Sequence, residues 1–278
     1  MNKKALFSIV LSVVLALSLL TGCSSKKEET VPAEEATSYI GIISAIESEM
    51  DMLLGEAEIE RTDTIGGVEY HVGKLCGKDV VIVKSGIGKI LSASCTATML
   101  NNYDISAVYF TGIAGGVGDE TKVLDEVVAT SLVQHDYGNI TNDGFVWTAG
   151  TEGAPGEERK EGENGYYPCD ESLVDLAYRS AVKVVGEEHA FKGVIASGDQ
   201  FVESEEYVDL LQDEFNALAC EMEGSSIALV CEQYDVPFVV IRALSDKADG
   251  KAHETFDNMA EIAGDNSSRI IMQMLEDD

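Results

Sequence analysis

The sequence predicts an α/β protein, a three-layer α/β/α sandwich around a mixed, twisted central sheet, and three observations carry that expectation. Short runs rich in β-branched residues alternate with segments of helical periodicity, the pattern of a sheet covered by helices. Residues 39–278 provide 240 positions, enough for one domain with a substantial core. Residues 62–75 place Gly66-Gly67 between two runs of alternating apolar residues, which reads as a β-hairpin and makes the sheet mixed rather than wholly parallel.

Buried strands are expected at residues 40–43, 80–83, 107–110, 127–129, 194–196 and 238–243, each short and β-branched. Between them, Ile46, Met50, Leu53 and Leu54 fall on one helical face, and Leu91, Cys95, Thr98 and Met99 on another. A last helix is expected over about residues 255–275, where Phe256, Met259, Ala263, Ile270 and Met274 recur at mostly three- and four-residue steps. Residues 137–165 hold seven glycines, Pro155 and many charges, too long a stretch for an idle connection, so they read as an active-site loop or a mobile insert.

The N-terminus has the layout of a secretory signal: Lys3 and Lys4, an apolar run over residues 5–20, then Thr21-Gly22-Cys23. The apolar run is short for a membrane span. Leu20-Thr21-Gly22-Cys23 resembles a bacterial lipobox, in which cleavage precedes an acylated cysteine. The expected organisation is therefore a signal peptide (1–22), a lipidated Cys23 with a polar, disordered tether (23–38), and one domain (39–278). A lipid on Cys23 would hold the protein on the outer face of the cell membrane without a transmembrane helix.

The formal net charge of −31 becomes −33 once a leader containing Lys3 and Lys4 is removed. Such acidity disfavours nucleic acid and anionic lipid surfaces as partners, both of which are bound through excess positive charge. Five cysteines remain after Cys23, with no C-x-x-C spacing, and Cys95, Cys220 and Cys231 lie in apolar stretches that read as core. His71, His135, His189 and His253 are scattered. No disulfide framework, metal site or cofactor is expected.

Two glycine-rich turns follow strands, Ser85-Gly86-Ile87-Gly88-Lys89 and Thr111-Gly112-Ile113-Ala114-Gly115-Gly116. The first lacks the reach of G-x-x-x-x-G-K and has Ile90 where a metal-binding hydroxyl belongs, and neither satisfies G-x-G-x-x-G. Nucleoside triphosphates and dinucleotides are thereby excluded. What such turns offer is close approach of backbone N–H groups to a small ligand at strand ends. Three acids stand at comparable places: Glu49 just past the first strand, Glu223 in Ala219-Cys220-Glu221-Met222-Glu223-Gly224, and Asp246 at the end of 238–246. Carboxylates converging from strand ends suit glycosidic-bond chemistry, since anions stabilise an oxocarbenium-like transition state and an acid must protonate the leaving group.

Taken in order, Gly41-Ile42-Ile43-Ser44-Ala45-Ile46-Glu47-Ser48-Glu49, Lys84-Ser85-Gly86-Ile87-Gly88-Lys89, the turn 111–116, Ser197-Gly198-Asp199-Gln200-Phe201-Val202, Glu221-Met222-Glu223-Gly224 and Arg242-Ala243-Leu244-Ser245-Asp246 resemble the bacterial 5′-methylthioadenosine/S-adenosylhomocysteine nucleosidases. That resemblance implies a nucleoside phosphorylase-like fold, a homodimer, and hydrolytic release of adenine from a 5′-thio-ribose. It implies that Asp246 protonates adenine N7, that Glu49 orients or deprotonates the attacking water, and that Glu223 accepts from the ribose hydroxyls. By the same resemblance Phe201 stacks on adenine and the Val202 backbone reads its edge. Met222 lies against the ribose, Phe256 lies near the 5′-group, Ser245 holds Asp246, and Arg242 has a structural or orienting role. Ala114 and Gly115 contribute backbone to the substrate site.

The match departs in the stretch 135–145, where His135-Asp136 is not followed by the family's Asp-Val-Thr-Ala-Phe, a segment that helps to wall the 5′-alkylthio pocket; Ile113 also replaces a small polar residue. Two other functions compete. A purine nucleoside phosphorylase needs cations to hold phosphate, but Glu47 and Glu49 follow the first strand with no arginine nearby. A nucleoside-binding lipoprotein fits the secretion signal, but such proteins usually close two lobes around ligand.

Overall fold

The computed structural model describes residues 37–148 and 165–278. The expected signal peptide, Cys23, most of the tether, and residues 149–164 of the glycine-rich segment lie outside the described residues. The strands are β1 (Tyr39–Ser44), β2 (Glu58–Ile65), β3 (Val68–Leu75), β4 (Lys78–Lys84), β5 (Ile105–Gly116), β6 (Glu126–Gln134), β7 (Gly138–Thr141), β8 (Gly144–Trp147), β9 (Tyr166–Pro168), β10 (Ala190–Ser197), β11 (Ala217–Glu221) and β12 (Phe238–Asp246). The helices are α1 (Glu47–Glu56), α2 (Lys89–Asn102), α3 (Glu171–Val185), α4 (Glu205–Phe215), α5 (Gly224–Gln233) and α6 (Ala252–Asp277).

The large sheet runs β11-β10-β6-β12-β5-β1-β4-β3-β2, with β9 added to β6. β1 is parallel to both β4 and β5, and β12 is parallel to β5. β12 meets β6 antiparallel, and the early hairpin β2–β3 continues antiparallel onto β4, so the sheet is mixed. β12 is buried at every position, which is why its sequence is an almost unbroken apolar run rather than an alternation. Helices α1, α3 and α6 pack together on one face, while α2 and α5 pack on the other, completing the three layers.

One pairing bends the sheet on itself. β11 pairs in parallel with β10 but also antiparallel with the end of β5, Ala219 opposite Gly116 and Cys220 opposite Gly115. Strands β5, β12, β6, β10 and β11 therefore close into a ring, which brings the ends of β5 and β11 into contact.

The α2 face differs from expectation. The residues that α2 buries are Ser92, Cys95, Thr96 and Met99, while Leu91 is exposed. The reason is hydrogen bonding: Ser92 and Thr96 donate to helix carbonyls of Gly88 and Ser92, and Ser92 pairs with Ser226 of α5 at 2.7 Å. Satisfied hydroxyls on small side chains can line a close helix contact that a bulkier leucine would hold apart. The described part of the glycine-rich segment, expected to be an active-site loop or a mobile insert, contains a hairpin, β7–β8. Among the described residues no helix is long and apolar enough to cross a membrane.

Candidate active site

Glu49 occupies the first turn of α1 and is 2% exposed. Its Oε2 accepts from the N–H groups of Ala45 at 2.7 Å and Ile46 at 3.1 Å, so it caps its own helix, and its Oε1 accepts from Ile113 N–H at 3.0 Å. Helix capping and cleft placement thus coincide in one residue. Gly112, at φ +153°, leaves the room this requires, because a Cβ there would collide with the Glu49 carboxylate and the Arg242 guanidinium. Burial pushes the Glu49 carboxyl above its usual range, and nearby Arg242 and the three N–H groups only partly oppose it.

Glu223 lies just beyond β11, at the N-cap of α5. Its Oε1 accepts from Gly88 N–H at 2.7 Å, and its Oε2 is 3.3 Å from Arg242 Nη2. The same Nη2 lies 2.6 Å from Glu221 Oε2. Arg242 is fully buried and stacks over the Phe110 ring at 3.8 Å. Burial first, and then the like charge of Glu221, push Glu223 up to about 8 against the pull of Arg242 and Gly88.

Asp246 ends β12 and is 2% exposed. Its Oδ1 accepts from Ala248 N–H at 2.7 Å and its Oδ2 from the Ser245 hydroxyl at 2.8 Å. Burial raises its carboxyl above the ordinary range, the two hydrogen bonds pull it down, and Asp249 and Glu203 push it further up. Such an acid holds a proton more readily than a solvated aspartate, which suits proton donation.

These three acids face one cleft. Ala114, Gly115, Phe201, Val202, Met222, Ser245 and Phe256 also line it, so the structure brings together every cleft residue expected from the sequence. The Phe201 ring is 44% exposed and meets His253 and Phe256 edge-on at 5.9 and 5.8 Å, an aromatic corner rather than core packing. The loop that carries Phe201 is tied down from behind. Asp136 accepts from Asp199 N–H at 2.8 Å and from Lys89 Nζ at 2.5 Å, while Lys89 N–H donates to Asp199 at 2.9 Å.

Comparison with known proteins agrees with this geometry. The family model described as phosphorylase superfamily matches residues 39–276. A 5′-methylthioadenosine/S-adenosylhomocysteine nucleosidase of Shewanella sediminis is 37% identical over 242 residues, covering 85% of this chain and 98% of the relative. The chain belongs to the 5′-methylthioadenosine/S-adenosylhomocysteine nucleosidase family. The Neisseria meningitidis nucleosidase, solved in complex with methylthio-immucillin-A, superposes with a TM-score of 0.75 at 33% identity, over 87% of this chain and 99% of that one. A Helicobacter pylori futalosine hydrolase superposes with a TM-score of 0.74, also at 33% identity, over 87% of this chain and 98% of that one.

Sequence reasoning gave no role to Glu221, which lines the cleft, and did not single out Ala45, Ile46, Ile87, Gln200 or Cys220, which line it as well. Glu221 had a signal, two glutamates bracketing one methionine at the end of an apolar run. Cys220 had none, because it faces the cleft only through the contact between β11 and β5.

Proposed function

We propose that this protein hydrolyses the N-glycosidic bond of 5′-methylthioadenosine, S-adenosylhomocysteine or a related 5′-modified adenosine, releasing adenine and the (thio)ribose. The observation that carries this reading is the meeting of Glu49, Glu223 and Asp246 at one cleft in a chain of this family.

Asp246 donates a proton to adenine N7 as the bond breaks, so that the base leaves neutral. Glu223 accepts from the ribose hydroxyls and stabilises the positive charge that grows on the sugar ring. Glu49, on the strand β1 side, takes a proton from the attacking water. Its elevated proton affinity makes it a better base than a solvated carboxylate. Phe201 stacks on the base, the Val202 backbone reads its edge, Met222 packs on the ribose, and Phe256 lies near the 5′-group. Ala114 and Gly115 bring backbone close to the ligand, and Ser245 steadies Asp246.

Water is preferred to phosphate as nucleophile on electrostatic grounds. Arg242 is buried against two glutamates and Lys89 is paired with Asp136, so neither cation is free to neutralise an anion. The breadth of the 5′-pocket is left to the departing stretch 135–145, and the likeness to a futalosine hydrolase widens the set worth testing. The test is a panel of adenosines varied at the 5′-position, read by free adenine. Turnover of 5′-thio substrates supports the reading, and tight binding without adenine release would favour a transport lipoprotein instead.

Two further parts of the proposal concern placement. Lipidation at Cys23 anchors the domain outside the cell membrane, which mass spectrometry of the mature N-terminus checks. The active form is a homodimer, a reading supported by Ile87, Ile90 and Leu91, exposed at 55%, 81% and 53% beside the cleft that Ile87 also lines. Ile90→Asp should shift sedimentation toward monomer.

A further inference from the structure

Glu221 differs from the three acids assigned above in that the protein itself occupies its carboxylate. Both oxygens accept from Gly224 N–H, at 3.0 and 2.8 Å; Oε2 also accepts from Glu223 N–H at 3.1 Å and from Arg242 Nη2 at 2.6 Å. Oε1 takes the Ser197 hydroxyl as well, and Ser197 Oγ in turn accepts from Ser225 N–H at 2.8 Å. Glu221 therefore has little capacity left for substrate, although it forms part of the cleft wall. Glu223, by contrast, has one backbone donor and the longer arm of the same guanidinium.

We propose that Glu221 is a positioning residue: it anchors the buried Arg242 so that one guanidinium nitrogen is divided between two carboxylates, which fixes the place and the charge of Glu223 beside the sugar. This rests on the hydrolytic reading given above. The chain of contacts Ser197, Glu221, Arg242 ties β10, β11 and β12 together at the cleft, so a shift of any member moves Glu223. Arg242 has no room to follow Glu223 alone, because Phe110 lies under it and Gly112 abuts it. The charged groups around Glu223 are Glu221 from β11, Arg242 from β12 and Glu49 from α1, with the N-terminal turn of α2 presenting Gly88 N–H. Around Glu221 stand Arg242 and Glu223, and more remotely His135 and Cys220.

If Glu221 supplies half of the demand on Arg242, removing its charge hands the guanidinium to Glu223. Glu221→Gln should then move the acid limb of the kcat/KM against pH profile downward by about one pH unit, since Glu223 and Glu49, the two acids that face Arg242 and work as anions, stay ionised at lower pH. Ser197→Ala keeps the charge of Glu221 but strips a donor from it, tightens its hold on Arg242, and should move the limb the other way. Circular dichroism establishes that each variant is folded; should Glu221→Gln fail to fold, the Ser197→Ala shift decides alone. Opposite shifts, or the upward shift alone in that case, support the assignment. A merely structural role would lower activity at all pH values and leave the limb in place, and that result overturns the assignment. Absence of adenine release by the unsubstituted protein would instead overturn the functional reading.

Discussion

Glu49 and Glu126 are both buried carboxyls on the α6 side of the sheet, yet one faces a cleft and the other faces core. Glu49 receives three backbone N–H groups and lies near Arg242. Glu126, in β6 beside Ala243 of β12, is fully buried, and among the described residues no protein group hydrogen-bonds either oxygen. Burial drives both acids upward, and for Glu126 the Asp125 charge adds to it, so that it stands well above the carboxylate range. Desolvation alone, then, does not mark a working acid. What separates them is a set of donors that can hold the anion once it forms, together with access to a ligand.

Four substitutions probe that contrast. Asp246→Asn should have the largest effect, a loss of turnover of about 10³-fold or more with nucleoside affinity largely kept, checked by adenine release beside calorimetric binding. Glu49→Gln should lower kcat by about 10²- to 10³-fold, because the amide cannot take the water's proton and sets an N–H₂ group against backbone donors. Phe201→Ala should raise KM by about tenfold with a smaller change in kcat, the scale of a lost base–aromatic stack.

Glu126→Gln should leave turnover unchanged and act on stability alone. A carboxyl raised in the folded state contributes stability that is present at low pH and is lost as pH rises beyond the unfolded value, about 4.3. The glutamine variant lacks that loss. At pH 8 it should be more stable than the parent, with a higher melting temperature, and at pH 4 it should match the parent. A variant less stable than the parent at pH 8 would mean that Glu126 is ionised and held by a partner, and would remove the contrast with Glu49.

The three acids and the glycine turns were legible because they stand at strand ends against apolar runs, whereas Phe201, Val202, Met222, Ser245 and Phe256 were reached only through the family resemblance that those motifs carry. The strand positions were legible for a related reason, since β1, β4, β5, β6 and β12 are buried along most of their length and so read as apolar, β-branched segments. Long-range pairing was not. Nothing local states that Cys220 meets Gly115, that Glu221 and Glu223 share one nitrogen of Arg242, or that Asp136 anchors the Phe201 loop. The α2 face was misassigned because hydrophobicity ranks Leu91 above Ser92, whereas the packing against α5 selects hydroxyls that satisfy themselves.

The central claim is that water, rather than phosphate, attacks the sugar in this cleft. Its most direct test is the rate of adenine release from 5′-methylthioadenosine in phosphate-free buffer and with saturating phosphate, with the sugar product identified by mass spectrometry. The account predicts equal rates and an unphosphorylated thioribose in both. Adenine release that depends strictly on phosphate and yields a sugar 1-phosphate would contradict it.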